Sequence, residues 1–183
     1  MKLIPTLLFA VFILSACSGG GSGADAGEGP AQKAREVIIS EFEMGRGNWL
    51  LTAKEADFFQ DADSYVTMIS PHLIFKVKGV DDSSIKSHNG RYDLDANLIT
   101  MTHKVTGASK TQGVTFETEK LYYDTKSKLV WADTPVTITR GGVTTKGQGM
   151  KATSDFAEIE IFRQKTRLPP NIEELKAKSE VHL

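Results

Sequence analysis

The sequence predicts an all-β protein, an antiparallel β-jellyroll built of repeated strand-turn-strand units. Three observations carry that prediction: apolar residues recur with period two from Val37 onward, helical periodicity is absent before Asn171, and a pattern repeats about every thirty residues. Trp49, Leu51 and Ala53 alternate with Leu50, Thr52 and Lys54, and Val114, Phe116 and Thr118 alternate with Thr115, Glu117 and Glu119. Such segments are half-buried strands. The run Thr134-Pro135-Val136-Thr137-Ile138-Thr139 agrees, because β-branched side chains pack well on a pleated surface. Tyr92-Asp93, Leu98-Ile99 and Val105 line up at an offset of 31 with Tyr123-Asp124, Leu129-Val130 and Val136. A looser copy follows at an offset of 29 with Ala152-Thr153 and Glu158-Ile159, and an earlier one is carried by Ala56-Asp57 and Tyr65-Val66-Thr67-Met68. Each hairpin then leaves a face that the next must cover. An antiparallel array with one cysteine and little helix closes on itself or folds into two facing layers, and its end strands are free to receive a strand from another chain.

The 183-residue chain divides into four parts. Residues 1–16 hold a lysine and then an unbroken apolar run from Leu7 to Leu14, which reads as a secretory signal and is too short to span a bilayer. Leu14-Ser15-Ala16-Cys17 resembles the bacterial lipobox, so Cys17 is the expected lipidation site and becomes the acylated N-terminus after cleavage. Six glycines lie among residues 18–30, and residues 17–36 read as a flexible tether with a reach of roughly 20 Å. The jellyroll is expected over 37–163, near a membrane and in the periplasm of a diderm bacterium. In the tail, 164–183, Pro169-Pro170 ends the last strand, and Asn171 with Glu174 looks like a capping pair opening a short helix whose apolar face is only Ile172 and Leu175.

Composition excludes several classes. Past the leader the net charge is −2, which gives no basic face for nucleic acid, and a single cysteine excludes a disulfide scaffold. Asp93-Leu94-Asp95-Ala96-Asn97 opens like a calcium loop but has Leu98 where Gly is needed and Lys104 where Glu is needed, so it reads as a hairpin turn. Gly147-Gln148-Gly149 is followed by an alternating strand, Phe156 to Phe162, so its glycines read as a bend and not as a dinucleotide loop. Asp81-Asp82-Ser83-Ser84 reads as a solvated loop, and Glu117 with Glu119 as a polar outer face. His72, His88, His103 and His182 have no metal-ligand spacing, and no nucleophile elbow occurs. No catalytic residue, metal or cofactor is expected.

The pattern Trp49-x-Leu51-x-Ala53-x-x-Ala56, Ser87-x-x-Gly90-x-Tyr92, Ile99-x-Met101, Val105, Phe116-x-Thr118-x-x-Leu121-x-Tyr123-Asp124, Pro135-Val136-x-Ile138 and Gly147-x-Gly149-Met150 resembles the LptC family over roughly 37–163. The resemblance implies a non-enzymatic jellyroll that accepts lipopolysaccharide from an inner-membrane ABC transporter of the LptB/LptF/LptG kind and passes it to an LptA-like periplasmic bridge. On that reading the inward positions Trp49, Leu51, Met68, Phe75, Ile99, Met101, Phe116, Val130, Ile138, Ile159 and Ile161 line a lipid groove; ordinary core packing is the alternative for each. The family further implies that the first strand, with Val37, Ile39 and Phe42, faces the transporter. The last, with Phe156, Glu158, Glu160 and Phe162, would receive the bridge protein. Met68, Met101 and Met150 suit variable lipid.

Many LptC-like chains carry an uncleaved membrane helix, for which this chain substitutes a lipid anchor and tether. Ser18 after Cys17 is the outer-membrane signal under the sorting rule of enteric bacteria, whereas the family role places the anchor on the periplasmic face of the inner membrane. The competing expectation is an interaction or structural lipoprotein that docks by strand addition and carries no lipid. Cys17→Ala should leave the domain folded and release it from membranes; an exported, cleaved form that still pelleted with membranes would count against the anchor.

Overall fold

The computed structural model describes residues 29–43, 46–60 and 64–167. Within them a single antiparallel sheet is built from β1 (Gln32–Glu43), β2 (Arg46–Gln60), β3 (Ser64–Ile69), β4 (His72–Val77), β5 (Val80–Lys86), β6 (Asn89–Asp93), β7 (Leu98–Ser109), β8 (Val114–Asp124), β9 (Leu129–Ala132), β10 (Val136–Arg140), β11 (Val143–Gly147), β12 (Met150–Thr153), β13 (Ile159–Ile161) and β14 (Lys165–Arg167). Several of these strands are halves of longer ones. β3 and β4 lie end to end along β2, β5 and β6 along β7, β9 and β10 along β8, and the pairs β11/β12 and β13/β14 continue the series. The chain therefore meanders as long strands, of which β1, β2, β7 and β8 run through as single elements and the rest are interrupted near the middle.

The interruptions fall on one line. Following the register from strand to strand, Glu36, Lys54, Ser70, His88, His103 with Lys104, Glu119, Thr134, Gln148 and Arg163 stand opposite one another across the sheet. Nine described non-glycine residues have positive φ; five of them, Glu36, Ser70, His103, Lys104 and Arg163, sit on this line, and the other four are in hairpin turns. A left-handed non-glycine residue costs about 1 kcal/mol, so five aligned on one row define a crease and not scattered irregularity. Bonds across the crease keep its backbone groups satisfied. Ser70 N–H donates to His88 O at 2.8 Å, His88 N–H to His103 O at 3.0 Å, and Gln148 N–H to Phe162 O at 2.9 Å. Pro135 has no N–H to give, and there the Thr134 hydroxyl stands in: Thr134 Oγ1 donates to Lys120 O at 3.2 Å and lies 2.7 Å from Thr118 Oγ1. Gly147 and Gly149 are required at the same fold, because a Cβ on Gly147 would lie 2.3 Å from Ile161 Cγ2 and one on Gly149 would lie 2.8 Å from Ala132 O. The bend expected from their spacing is present.

The crease divides the sheet into two facing leaves. The first holds β3, β6, β9, β12 and β13 with the adjoining halves of β2, β7 and β8; the second holds β4, β5, β10, β11 and β14 with the other halves. One continuous apolar core fills the space between. Rings meet across it: Trp49 and Tyr92 edge to face at 6.0 Å, Phe75 and Tyr123 at 4.8 Å. This is the antiparallel β-jellyroll that the alternation predicted, and the thirty-residue repeat is one trip out and back across the crease. The turn at Asp93–Asn97 is a hairpin connection, with Ala96 N–H donating to Asp93 Oδ1 at 2.9 Å and Asn97 at φ 56°.

Three expectations are corrected. Among the described residues the sheet runs from Gln32 to Arg167, so it takes in residues assigned to the tether and the tail; Lys33 and Arg35 pair with Asp57 and Glu55 on an exposed face, which is why that stretch looks polar. Asp81-Asp82-Ser83-Ser84 is not a loop but part of β5, where Asp82 and Ser83 are buried. A bulge beside Phe75 turns Asp82 inward, and Ser109 Oγ and Thr111 Oγ1 donate to its carboxylate. Phe156 does not belong to the last strand; it lies in the turn before β13, at φ 55°, fully buried. The leader, Cys17, the tether up to residue 28 and the helix expected after Pro170 lie outside the described residues.

Gly107 faces the ring of Phe116, and a Cβ there would sit 2.2 Å from its Cε1. Gly107→Ala is expected to destabilise the domain by about 1–3 kcal/mol, and Phe116→Leu in the same chain to recover part of the loss. Thermal or urea unfolding of the single and double variants checks this.

Candidate functional site

Inward residues reach their positions by alternation within each leaf, with the phase reset at the crease. Trp49, Leu51, Met68, Phe75, Ile99, Met101, Phe116, Val130 and Ile138 all point into the space between the leaves and are no more than 4 % exposed. Ile159 and Ile161 pack on the same core but stay partly open. All eleven therefore lie on one surface. Few polar groups reach it: Tyr92 and Tyr123 present hydroxyls that burial pushes above the usual phenol range, so both stay neutral. Trp49 Nε1 donates to Glu41 Oε2 at 2.8 Å where the interior meets solvent.

Close packing relaxes at the end of the sheet. Between β10 and β11 on one leaf and β13 on the other lies an apolar cleft of about 340 Å³, lined by Val114, Ile138, Val143, Thr145, Ile159 and Ile161, with Arg140 at its rim. Ile138, Ile159 and Ile161 were expected here. Val143, Thr145 and Arg140 were missed, although Gly141-Gly142 followed by an inward-outward alternation marks a hairpin whose second strand begins at Val143.

The edge candidates separate. Val37 and Ile39 pack partly against the core, and among the described residues β1 pairs only with β2, so its outer backbone edge is open. Phe42 stands opposite Gly47 in that ladder. At the other end Glu158, Glu160 and Phe162 are exposed beside β13, whose outer edge is also unpaired among the described residues, whereas Phe156 is withdrawn into the interior with its ring 5.1 Å from that of Phe116.

Titratable side chains do not converge on a reaction centre. Among the described residues no group of three His, Cys, Asp or Glu is placed to hold a metal ion. Asp81 is held below the usual carboxylate range by Lys76, whose Nζ donates at 2.7 Å, and Asp124 by the N–H groups of Ser127 and Lys126 in its turn. Stacked Tyr122 and Trp131, with Lys120 over the Tyr122 ring, form a ladder on the outer face. Among the described residues no helix is long and apolar enough to cross a membrane.

A family model described as lipopolysaccharide-assembly, LptC-related, matches residues 11–168. The chain belongs to the LptC-related family. Membership assigns it a role in lipopolysaccharide transport in the periplasm, and makes it a non-enzymatic component of that process. Among solved structures, that of LptH from Pseudomonas aeruginosa, the LptA-homologous periplasmic component of the conserved lipopolysaccharide transport device, is similar: 9 % identity, a TM-score of 0.52, and coverage of 67 % of this chain and 95 % of that one. At that identity the likeness is one of fold. No curated protein matches the chain.

His72, on the outer face of the second leaf, has a buried Nε2 that lacks a hydrogen-bond partner, and burial, with Lys86 nearby, lowers its pKa from 6.5. The unfolded chain then binds this proton more readily than the folded one, so stability falls as pH drops through 6.5 and is unaffected by His72 well above it. His72→Leu should flatten the pH dependence of the unfolding free energy in that window and raise stability by about 1 kcal/mol, by removing an unsatisfied nitrogen.

Proposed function

We propose that this LptC-related protein is the tethered acceptor of lipopolysaccharide on the periplasmic face of the inner membrane. Anchored by lipid on Cys17, it takes lipopolysaccharide from an inner-membrane ABC transporter of the LptB/LptF/LptG kind and passes it to an LptA-like bridge. The observation that carries this reading is a sheet folded once, whose inner face is predominantly apolar and whose two end strands keep open edges among the described residues. Acyl chains cost about 0.8 kcal/mol per CH₂ to expose to water, so their passage needs a continuous apolar surface. Two such domains joined edge to edge supply one, because strand addition extends both leaves together.

In this reading Val37, Ile39 and Phe42 belong to the strand that faces the transporter. Glu158, Glu160 and Phe162 flank the strand that receives the bridge, with Phe156 held back in the interior. The groove is a binding surface, so direction is supplied by the transporter. The Ser18 signal for outer-membrane sorting yields to the family role, which needs the domain beside the transporter.

A second reading has an observation in its favour. Nine of the eleven groove candidates are fully packed, which suits an interaction lipoprotein that docks by strand addition with a filled core. The two readings part on one experiment. A photo-crosslinking residue at Met101 or Phe116 should give lipopolysaccharide adducts in cells, while one at Ile161 reports contact at the last strand. Protein adducts at Ile161 with no lipopolysaccharide adduct at Met101 or Phe116 would sink the conduit and leave the docking module.

A further inference from the structure

The turn between β12 and β13 crosses from one leaf to the other. It starts on the first leaf, yet its contacts are with the second. Ser83 Oγ donates to Ser154 O at 2.8 Å, Arg140 Nη2 donates to Phe156 O at 3.3 Å, and the Phe156 ring lies 5.1 Å from Phe116. These contacts join the two rims on the side opposite the crease, where the folded sheet would otherwise gape. Phe156 is fully buried in doing so and sits at φ 55°, a conformation that a phenylalanine rarely adopts.

The turn is also a unit. Phe156 N–H donates to Thr153 O at 2.9 Å, Thr153 Oγ1 to Asp155 Oδ1 at 2.6 Å, and Ala157 N–H to the same carboxylate at 3.1 Å. Its internal bonds do not depend on the second leaf, so it keeps its shape if the rim contacts break. Few bonds hold it down: one neutral hydrogen bond, one from a guanidinium, and one ring contact. Arg140, which makes the second of these, stands at the rim of the 340 Å³ apolar cleft.

We propose that residues 154–158 form a clasp on the trough. When the trough is empty, Phe156 fills the space of an acyl chain and the two rim bonds hold the leaves together. When an acyl chain enters, the clasp swings off the second leaf as a unit and Phe156 leaves the interior. The inference rests on the lipid-conduit reading and adds the element that reconciles a packed interior with lipid entry.

The test uses the full chain carrying Lys110→Cys and Ala157→Cys, two exposed positions on the opposing rims, spin-labelled for distance measurement, with purified lipopolysaccharide as the probe. The inter-label distance is expected to lengthen by several ångströms on saturation. Ser83→Ala and Arg140→Gln, each of which removes one of the two rim bonds, are each expected to tighten lipopolysaccharide binding roughly threefold or more, since closure then competes less. An unchanged distance at demonstrated saturation, or unchanged affinity in both loosened variants, overturns the clasp and leaves the conduit standing. Absence of lipopolysaccharide binding in every form, loosened variants included, overturns the conduit itself and the clasp with it.

Discussion

Everything in this domain depends on bending a hydrogen-bonded ladder once, along a single line. A strand cannot turn sharply inside a sheet without losing pairing, and random bends would leave orphaned backbone groups in many places. Here the bends are in register, so most of the losses fall on one row, from Glu36 to Arg163, and each leaf stays laddered on its own side apart from bulges at Phe42 and beside Phe75. That row carries five left-handed residues at about 1 kcal/mol each, offset by bonds such as Ser70 to His88 and by Thr134 standing in for the N–H that Pro135 lacks. The result is a folded sheet whose length is set by the number of hairpins and whose first and last strands keep open edges among the described residues.

The interior follows from the same bend. With both leaves facing inward, one face of every strand is withdrawn from water, and alternation supplies apolar residues to it almost without exception. The polar exceptions are managed individually: Tyr92 and Tyr123 stay neutral, and Thr118 reaches Thr134 and Pro135 O at the crease. A surface so uniform has no directional feature for a headgroup along most of its length. Charge enters at three places: Glu41 beside Trp49 near one end, Arg140 near the other, and the buried Asp82 carboxylate, which Ser109 and Thr111 satisfy. Such a surface suits chains that slide along it more than a ligand held in one pose.

Alternation made the inner face legible because its period survives anything except a change of phase. Both ends of Trp49–Ala53 and of Val114–Thr118 stay on one leaf, so their reading holds without knowledge of the crease. The thirty-residue repeat was legible too, since each trip across the crease has the same length. The crease itself was not, apart from Gly147-Gln148-Gly149, because residues as different as Glu36, Ser70, His103 and Arg163 occupy its left-handed positions, and their conformation is imposed by the sheet and not by their own propensities. Phe156 was misread because a large apolar residue just before the alternating run Glu158 to Ile161 looks like the start of the same strand, although it is out of phase with Ile159 and Ile161. The sequence Thr153-Ser154-Asp155, whose side chains close a turn on themselves, was the competing signal. Gln32 to Glu36 were misread for the opposite reason: an edge strand with one solvated face and ion pairs on it has the composition of a tether.

The two open edges differ in a way that bears on how such domains would chain together. β1 is twelve residues long and runs through the crease as one strand, whereas the far edge is split at residues 162–164 into β13 and β14, three residues each. A strand added beside β1 would meet an almost unbroken row of backbone donors and acceptors. One added at the other end would have to bridge a gap between two short segments. Pairing of the β1 edge of one domain with the split edge of another would be a head-to-tail contact, and such a contact that does not close generates a line and not a ring, whereas two β1 edges paired about a two-fold axis would stop at two. Two open edges are what a folded sheet needs to be one link in a longer path, and their inequality is set by where the last hairpin crosses the crease.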